Sequence, residues 1–196
     1  MSEQQPESNT EFDFQGINHV ALVSSDMART VEFYTGVLGM PLIKTIEIPG
    51  GGQHFFFDCG NGDAVAFFWF PGAPPHAPGI ASAAHRPDTG DARTAHGSMN
   101  HLAFDVPAEH FDAYVARLQD KGVEVSIVLN HDDSPSTVAA ELHEGVYVRS
   151  VYFHDPDGVL LEFAAWTRPL GPDEAGHAPL NAVGEPVRTT IGIGGD

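Results

Sequence analysis

Residues 18–22 read Asn-His-Val-Ala-Leu, and residues 100–104 read Asn-His-Leu-Ala-Phe. The phrase is written twice, with 82 positions between His19 and His101. Around the first copy, Ile17, His19, Ala21 and Val23 fall on one side of an extended chain, and Asn18, Val20 and Leu22 on the other. Ser24, Ser25 and Asp26 then offer helix N-caps. Met27, Val31, Tyr34 and Leu38 recur at helical spacing up to Gly39. Three strand-like stretches follow near 41–48, 54–58 and 64–70, separated by Pro49-Gly50-Gly51-Gly52 and Gly60-Asn61-Gly62.

The second copy repeats this order. Pro107 suits a first helical position, Phe111, Tyr114, Val115 and Leu118 form the stripe, and Lys121-Gly122 stops it. Strands are expected near 123–129, 147–154 and 159–165, the last two joined by Asp155-Pro156-Asp157-Gly158 as a type I turn prefers. An insertion at about 130–146 has no counterpart in the first copy. The expected class is α+β, with βαβββ written twice. The expected division is a disordered arm (1–11), a first module (12–70), a Pro/Gly-rich linker that is not a strand pair (71–97), a second module (98–168) and an irregular tail (169–196).

Bulk chemistry narrows the partners. At 42% hydrophobic with 13 Phe, the 196 residues can bury a core, and the net charge of −18 argues against nucleic acid or an anionic membrane surface as partner. A single cysteine, Cys59, excludes an internal disulfide framework and fits a reducing cytoplasm. Residues 1–10 have neither the basic nor the apolar region of a signal peptide, and the apolar run Ala64–Phe70 is too short to span a bilayer.

The chemistry concentrates on three side chains. His19 and His101 hold matched strand positions, and each is followed two residues later, on the same face, by alanine. Glu162 interrupts the apolar run Val159–Ala165 and has Ala164 at the same spacing. A carboxylate buried in such a run needs a cationic partner. A lone strand histidine is ordinarily a hydrogen-bonded core residue, but two matched ones with a carboxylate make a divalent-metal site with open positions.

These residues resemble the vicinal oxygen chelate superfamily, which comprises glyoxalases, bleomycin-type and thiol-transferring resistance proteins and type I extradiol dioxygenases. The resemblance covers about residues 12–168. It implies paired βαβββ modules whose mixed sheet curls into a cup, or half-barrel, around a metal held by His19, His101 and Glu162. Within it, His143, Val151-Tyr152, Asp155-Pro156, Gly158 and Glu162 are spaced like the extradiol ring-cleavage signature, with Glu141 as a departure. The resemblance gives His143 and Tyr152 the role of hydrogen-bonding substrate and oxygen-derived intermediates.

The first-module position matching Glu162, where glyoxalase-type members carry a fourth ligand, is Ala66. Three ligands fit non-haem Fe(II), with Mn(II) or another divalent ion as the alternative. Where extradiol members carry an acid–base histidine, this chain has Asn61-Gly62-Asp63. Asp63 is the candidate proton carrier there, against its plainer reading as a turn residue. The loop histidines His76, His85 and His96 read as surface residues.

Phe55, Phe57, Phe67 and Phe68 are candidates to wall an aromatic pocket, or simply core. The resulting expectation is an extradiol-type dioxygenase acting on a catechol-like substrate and dioxygen. Its rivals are a glyoxalase-like lyase, isomerase or epimerase and a metal-free small-ligand binder. A homodimer, with modules pairing within one chain or across two, is left open.

Overall fold

In the computed structural model, which describes residues 16–171, 174 and 177–187, the two modules build two separate sheets. The first contains β1 (His19–Val23), β2 (Leu42–Ile48), β3 (Gly52–Gly60) and β4 (Asp63–Trp69) in the order β1-β4-β3-β2. Only β1 and β4 are parallel, as the crossover through a helix requires. The second contains β5 (Leu102–Asp105), β6 (Leu129–His131), β7 (Val138–Ala139), β8 (Val148–His154) and β9 (Leu160–Trp166) in the order β5-β9-β8-β6-β7, with β5 and β9 parallel.

The helical segments depart from the expected single stripes. Asp26 caps α1 (Met27–Val31), accepting from Ala28 N and Arg29 N at 3.0 and 3.2 Å. The chain then widens into a π-helical stretch, Glu32–Val37, instead of continuing as one α-helix. There Tyr34 is fully buried and its hydroxyl donates to Asp155 at 3.2 Å. In the second module Pro107 precedes a 3₁₀ turn, Ala108–His110, and α2 runs Phe111–Asp120. The strand expected near 123–129 does not form over most of that range: β6 begins at Leu129 and runs into the segment expected as an insertion. Ser126 Oγ accepts from Tyr152 N where a strand carbonyl would, and Ile127 N donates to Asp88. Only the isolated bridge Val125–Phe153 remains of the rest.

Alternation divides each sheet into two faces. On the first sheet Phe57, Val65 and Phe67 are buried on the helix-facing side, with Phe55 packed beside them, in one cluster with Met27, Tyr34, Leu118, Phe153 and Leu161. The core therefore joins both modules. Ser25 and Asp157 hydrogen-bond across them, and Lys121 donates to the carbonyls of Gly36 and Val37. The described residues up to Arg168 form one compact unit. Residues 71–97 contain no strand or helix, but they are more than a linker. Ser82 Oγ accepts from Leu160 N at 2.9 Å, and Ala83 is fully buried with Leu129, Tyr152 and Leu160.

Described residues after Arg168 belong to a second unit, whose regular feature is the Asn181–Glu185 turn closed by the Leu180–Pro186 bridge. The expected arm, 1–11, and residues 188–196 of the expected tail lie outside the described residues. Among the described residues no helix is long and apolar enough to cross a membrane.

Candidate metal centre

The register brings Glu162 to His101. β5 pairs with β9 so that Ala103 stands opposite Glu162 and Asp105 opposite Ala164, and Tyr152 of β8 stands opposite Glu162 on the other side. Residues directly opposite share a face. His101, two positions before Ala103, therefore reaches Glu162: Nε2 lies 2.9 Å from Oε2. The Glu162 side chain is 7% exposed and that of His101 35%.

The Tyr152 ring packs edge-on against His101, with centroids 5.6 Å apart, and its hydroxyl lies near enough to Glu162 to feel its charge. Burial, then the Glu162 charge, pushes the Tyr152 phenol up to about 12, so it remains a donor at neutral pH. Burial pushes the Glu162 carboxyl up. The hydrogen bond with His101, aided by Ser150 and Tyr152, outweighs that and leaves it below the ordinary carboxylate range. Ser150 Oγ is near enough to favour this charge but, fully buried, makes no well-formed hydrogen bond.

His19 occupies the equivalent place on the first sheet. Its face continues through Ala64, Ala66 and Phe68 of β4 and His54, Phe56 and Asp58 of β3. Ala21 stands opposite Ala66 just as Ala103 stands opposite Glu162, so alanine does fill the position equivalent to the carboxylate. The His19 ring packs edge-on against Phe56 at 5.5 Å.

Both candidate histidines are oriented alike. Nδ1 of His19 lies 2.8 Å from Asn18 Oδ1, and Nδ1 of His101 lies 2.8 Å from Asn100 Oδ1. An amide oxygen only accepts, so each Nδ1 donates and each Nε2 lies on the ring edge away from its asparagine. That is the usual arrangement for an imidazole ligand, whose other nitrogen is tied by a hydrogen bond. The donor set of His101 and Glu162, an imidazole Nε2 and a carboxylate side by side, fits a divalent cation, which these two side chains would hold. His19 stands apart: among the described residues of one chain, no three His, Cys, Asp or Glu side chains gather to hold an ion.

The remaining candidates are placed elsewhere. His143 is engaged in its own loop, where Nε2 meets Asp132 Oδ2 at 3.2 Å and Nδ1 accepts from Gly145 N at 3.1 Å. Asp63 opens β4 opposite Gly60 and by alternation lies on the face away from His19. His76 packs at Gly158 and His85 at Gly90. Of the four phenylalanines, Phe57 and Phe67 are core and Phe55 packs with them, whereas Phe68 is on the His19 face.

Sequence reasoning missed His54, whose ring stacks on Phe68 at 3.6 Å and 14° and contacts Phe56 at 4.2 Å. Its Nε2 is buried without a partner. Burial, then neighbouring His19, holds its pKa below the ordinary imidazole value. The alternation that pointed His19 inward also points His54 there once the β3–β4 register is known.

Comparison with known proteins agrees with this architecture. The family profile described as the Glyoxalase/Bleomycin resistance protein/Dioxygenase superfamily matches residues 16–163. The chain is 28% identical over 148 residues to the metallothiol transferase FosB of Shouchella clausii, covering 75% of this chain and 77% of that protein. It is also 28% identical over 116 residues to the putative ring-cleaving dioxygenase MhqE of Bacillus subtilis. That match covers 57% of this chain but spans only 33% of the relative's length. The crystal structure of a glyoxalase family protein from Enterococcus faecalis superposes with a TM-score of 0.54 at 27% identity, over 77% of this chain and 98% of that one.

Proposed function

Because the chain belongs to the glyoxalase/bleomycin resistance protein/dioxygenase superfamily, we propose that it is a metal-dependent enzyme whose ion is held by His101 and Glu162 of one chain and His19 of a second. The substrate we assign is a catechol-like aromatic, opened beside its two hydroxyls by dioxygen. The observation that carries this reading is the His101–Glu162–Tyr152 cluster, in which a neutral phenol stands beside the two ligands.

Held by these residues, Fe(II), or Mn(II) in its place, would supply Lewis acidity toward the hydroxyls of a catechol and a redox-active centre for dioxygen. The chain's own residues do the rest. Asn18 and Asn100 engage Nδ1 of each imidazole and leave Nε2 as the nitrogen that would bind an ion. Tyr152 donates its hydroxyl proton to oxyanion charge developing beside Glu162. His54, Phe56, Phe68 and Phe70 present stacked aromatic surface around His19, which suits a flat apolar ring. Asp63 and His143 have no part in this reading as the chain is folded.

The like-length relationship to a metallothiol transferase favours a second reading, metal-assisted addition of a thiol to a small electrophile. One assay separates the two. Protein reconstituted anaerobically with Fe(II) or Mn(II) is offered a panel of catechols with an oxygen electrode, and in parallel thiols with small epoxides. Oxygen uptake with a yellow ring-opened product supports ring cleavage. Thiol consumption with no oxygen uptake from any catechol overturns it in favour of the second reading.

A further inference from the structure

The two Asn-His pairs are held differently, and the difference singles out Asn100. Asn18 keeps ordinary strand bonding, its carbonyl accepting from Ala64 N at 3.1 Å. Asn100 is instead knotted into the segment 82–94. Its carbonyl accepts from Ala83 N at 3.2 Å and from Ser82 Oγ at 3.1 Å. Its Nδ2 donates to Ala92 O at 2.7 Å and to Thr94 Oγ1 at 3.3 Å. Ser82 Oγ in turn accepts from Leu160 N, two residues before Glu162. One segment thus grips the start of the strand that carries each of the two ligands.

The bonds to Ala92 and Thr94 have a chemical consequence. A carbonyl oxygen can only accept, so the Asn100 group facing Ala92 O must be the NH₂. The other end of the amide, Oδ1, then faces His101 and can only accept, so His101 Nδ1 must donate. Nε2 is left facing Glu162. We propose that Asn100 is the positioning residue of His101: anchored by Ala92 and Thr94, it holds the imidazole so that Nε2, not Nδ1, is offered to the ion beside Glu162. The inference rests on the metal reading above. It makes residues 82–94 part of the centre's support, a role their Pro- and Gly-rich composition does not announce.

The test uses ¹⁵N-labelled full-length protein, metal-free and then titrated with Mn(II), as wild type, Asn100→Ala and Asn100→Asp. In the wild type, His101 Nδ1 should appear protonated and protected from exchange. Asn100→Ala should lose that signature and weaken Mn(II) binding by about 10- to 100-fold, while the backbone amide spectrum stays native. Asn100→Asp keeps an acceptor for Nδ1–H but has no NH₂ to give Ala92 O, so it should retain the signature in weakened form, between Asn100→Ala and the wild type. If Asn100→Ala does not fold, Asn100→Ser, too short to reach the ring, is read the same way. An unchanged Nδ1 signal with Mn(II) affinity within about twofold of wild type overturns the proposal. A wild type that binds no Mn(II), yet whose ring signals respond to Asn100→Ala as described, retains the positioning role and removes the metal reading instead.

Discussion

Tyr152 and Asp155 show how three residues of chain separate chemistry from stability. Tyr152 faces Glu162, and its phenol stays neutral because burial and that carboxylate push it up to about 12. Tyr152→Phe deletes one hydroxyl and keeps the ring against His101. Metal content and fold should hold while turnover falls by about 10²-fold, the scale of one lost oxyanion donor. A variant with wild-type turnover removes Tyr152 from the chemistry.

Asp155 is buried beneath Tyr34 and accepts from Val159 N and Asp157 N. Burial raises its carboxyl to about 6, from the ordinary 3.8. The folded protein therefore binds this proton more tightly than the unfolded chain. The associated stability is full below about pH 4 and is lost as pH rises through about 6, on the order of 2–3 kcal/mol. Asp155→Asn should flatten the pH dependence of urea unfolding between about pH 4 and 7 relative to wild type. Parallel curves for the two proteins would show that the carboxyl is not raised.

The duplicated Asn-His was legible because the phrase recurs at matched strand positions, and Glu162 because it interrupts an apolar run, whereas Tyr152 was reached through the signature spacing that the resemblance supplies. His54 was not, because its neighbours Phe68 and Phe56 are recognised only through register. The engagement of His143 by Asp132 depends on a loop with no period to read.

At the scale of elements, βαβββ order was legible twice because helix and strand periods differ and Gly-rich turns punctuate them. The π-helical stretch was not, since it reflects a tertiary demand: Tyr34 buried fully with its hydroxyl on Asp155. Nor was the late start of β6 at Leu129, since ahead of it the side chain of Ser126 takes the bond of a backbone carbonyl. The β2–β3 hairpin shows an element limited by contact. At Gly52 an added Cβ would lie 2.8 Å from Trp69 O and 2.9 Å from Ile48 Cγ1. The carbonyl belongs to the paired sheet and cannot turn away. Gly52→Ala should lower unfolding stability by about 1–3 kcal/mol, the range for overpacking. Its strand pairs with the strand bearing the His19 face, so loss of metal affinity should follow loss of stability. A midpoint unchanged in urea would mean the hairpin tip yields freely.

Across the whole molecule, two modules of related strand order leave one question that no single chain's pattern can answer. Each module supplies one histidine at a sheet edge, so a pairing within one chain and a pairing between chains satisfy the same sequence. In the folded chain β1 and β5 each end their own sheet, and His19 is not gathered with His101 and Glu162. A symmetric pair of chains would bring each His19 to the other's His101 and Glu162, giving two equivalent sites. This arrangement makes a prediction that pairing within a chain does not. His19→Ala and Glu162→Ala should each abolish tight metal binding alone, because every site in either homodimer lacks one ligand. If the two variants are mixed, unfolded and refolded together, half the dimers are mixed. In each of these, one site receives His19 from the Glu162→Ala chain and His101 with Glu162 from the His19→Ala chain. Metal content and activity should then return to about a quarter of wild type. Refolded mixtures that stay at the level of the separate variants would rule out the shared site. His19 would then have to reach Glu162 within its own chain or take no part in holding the ion.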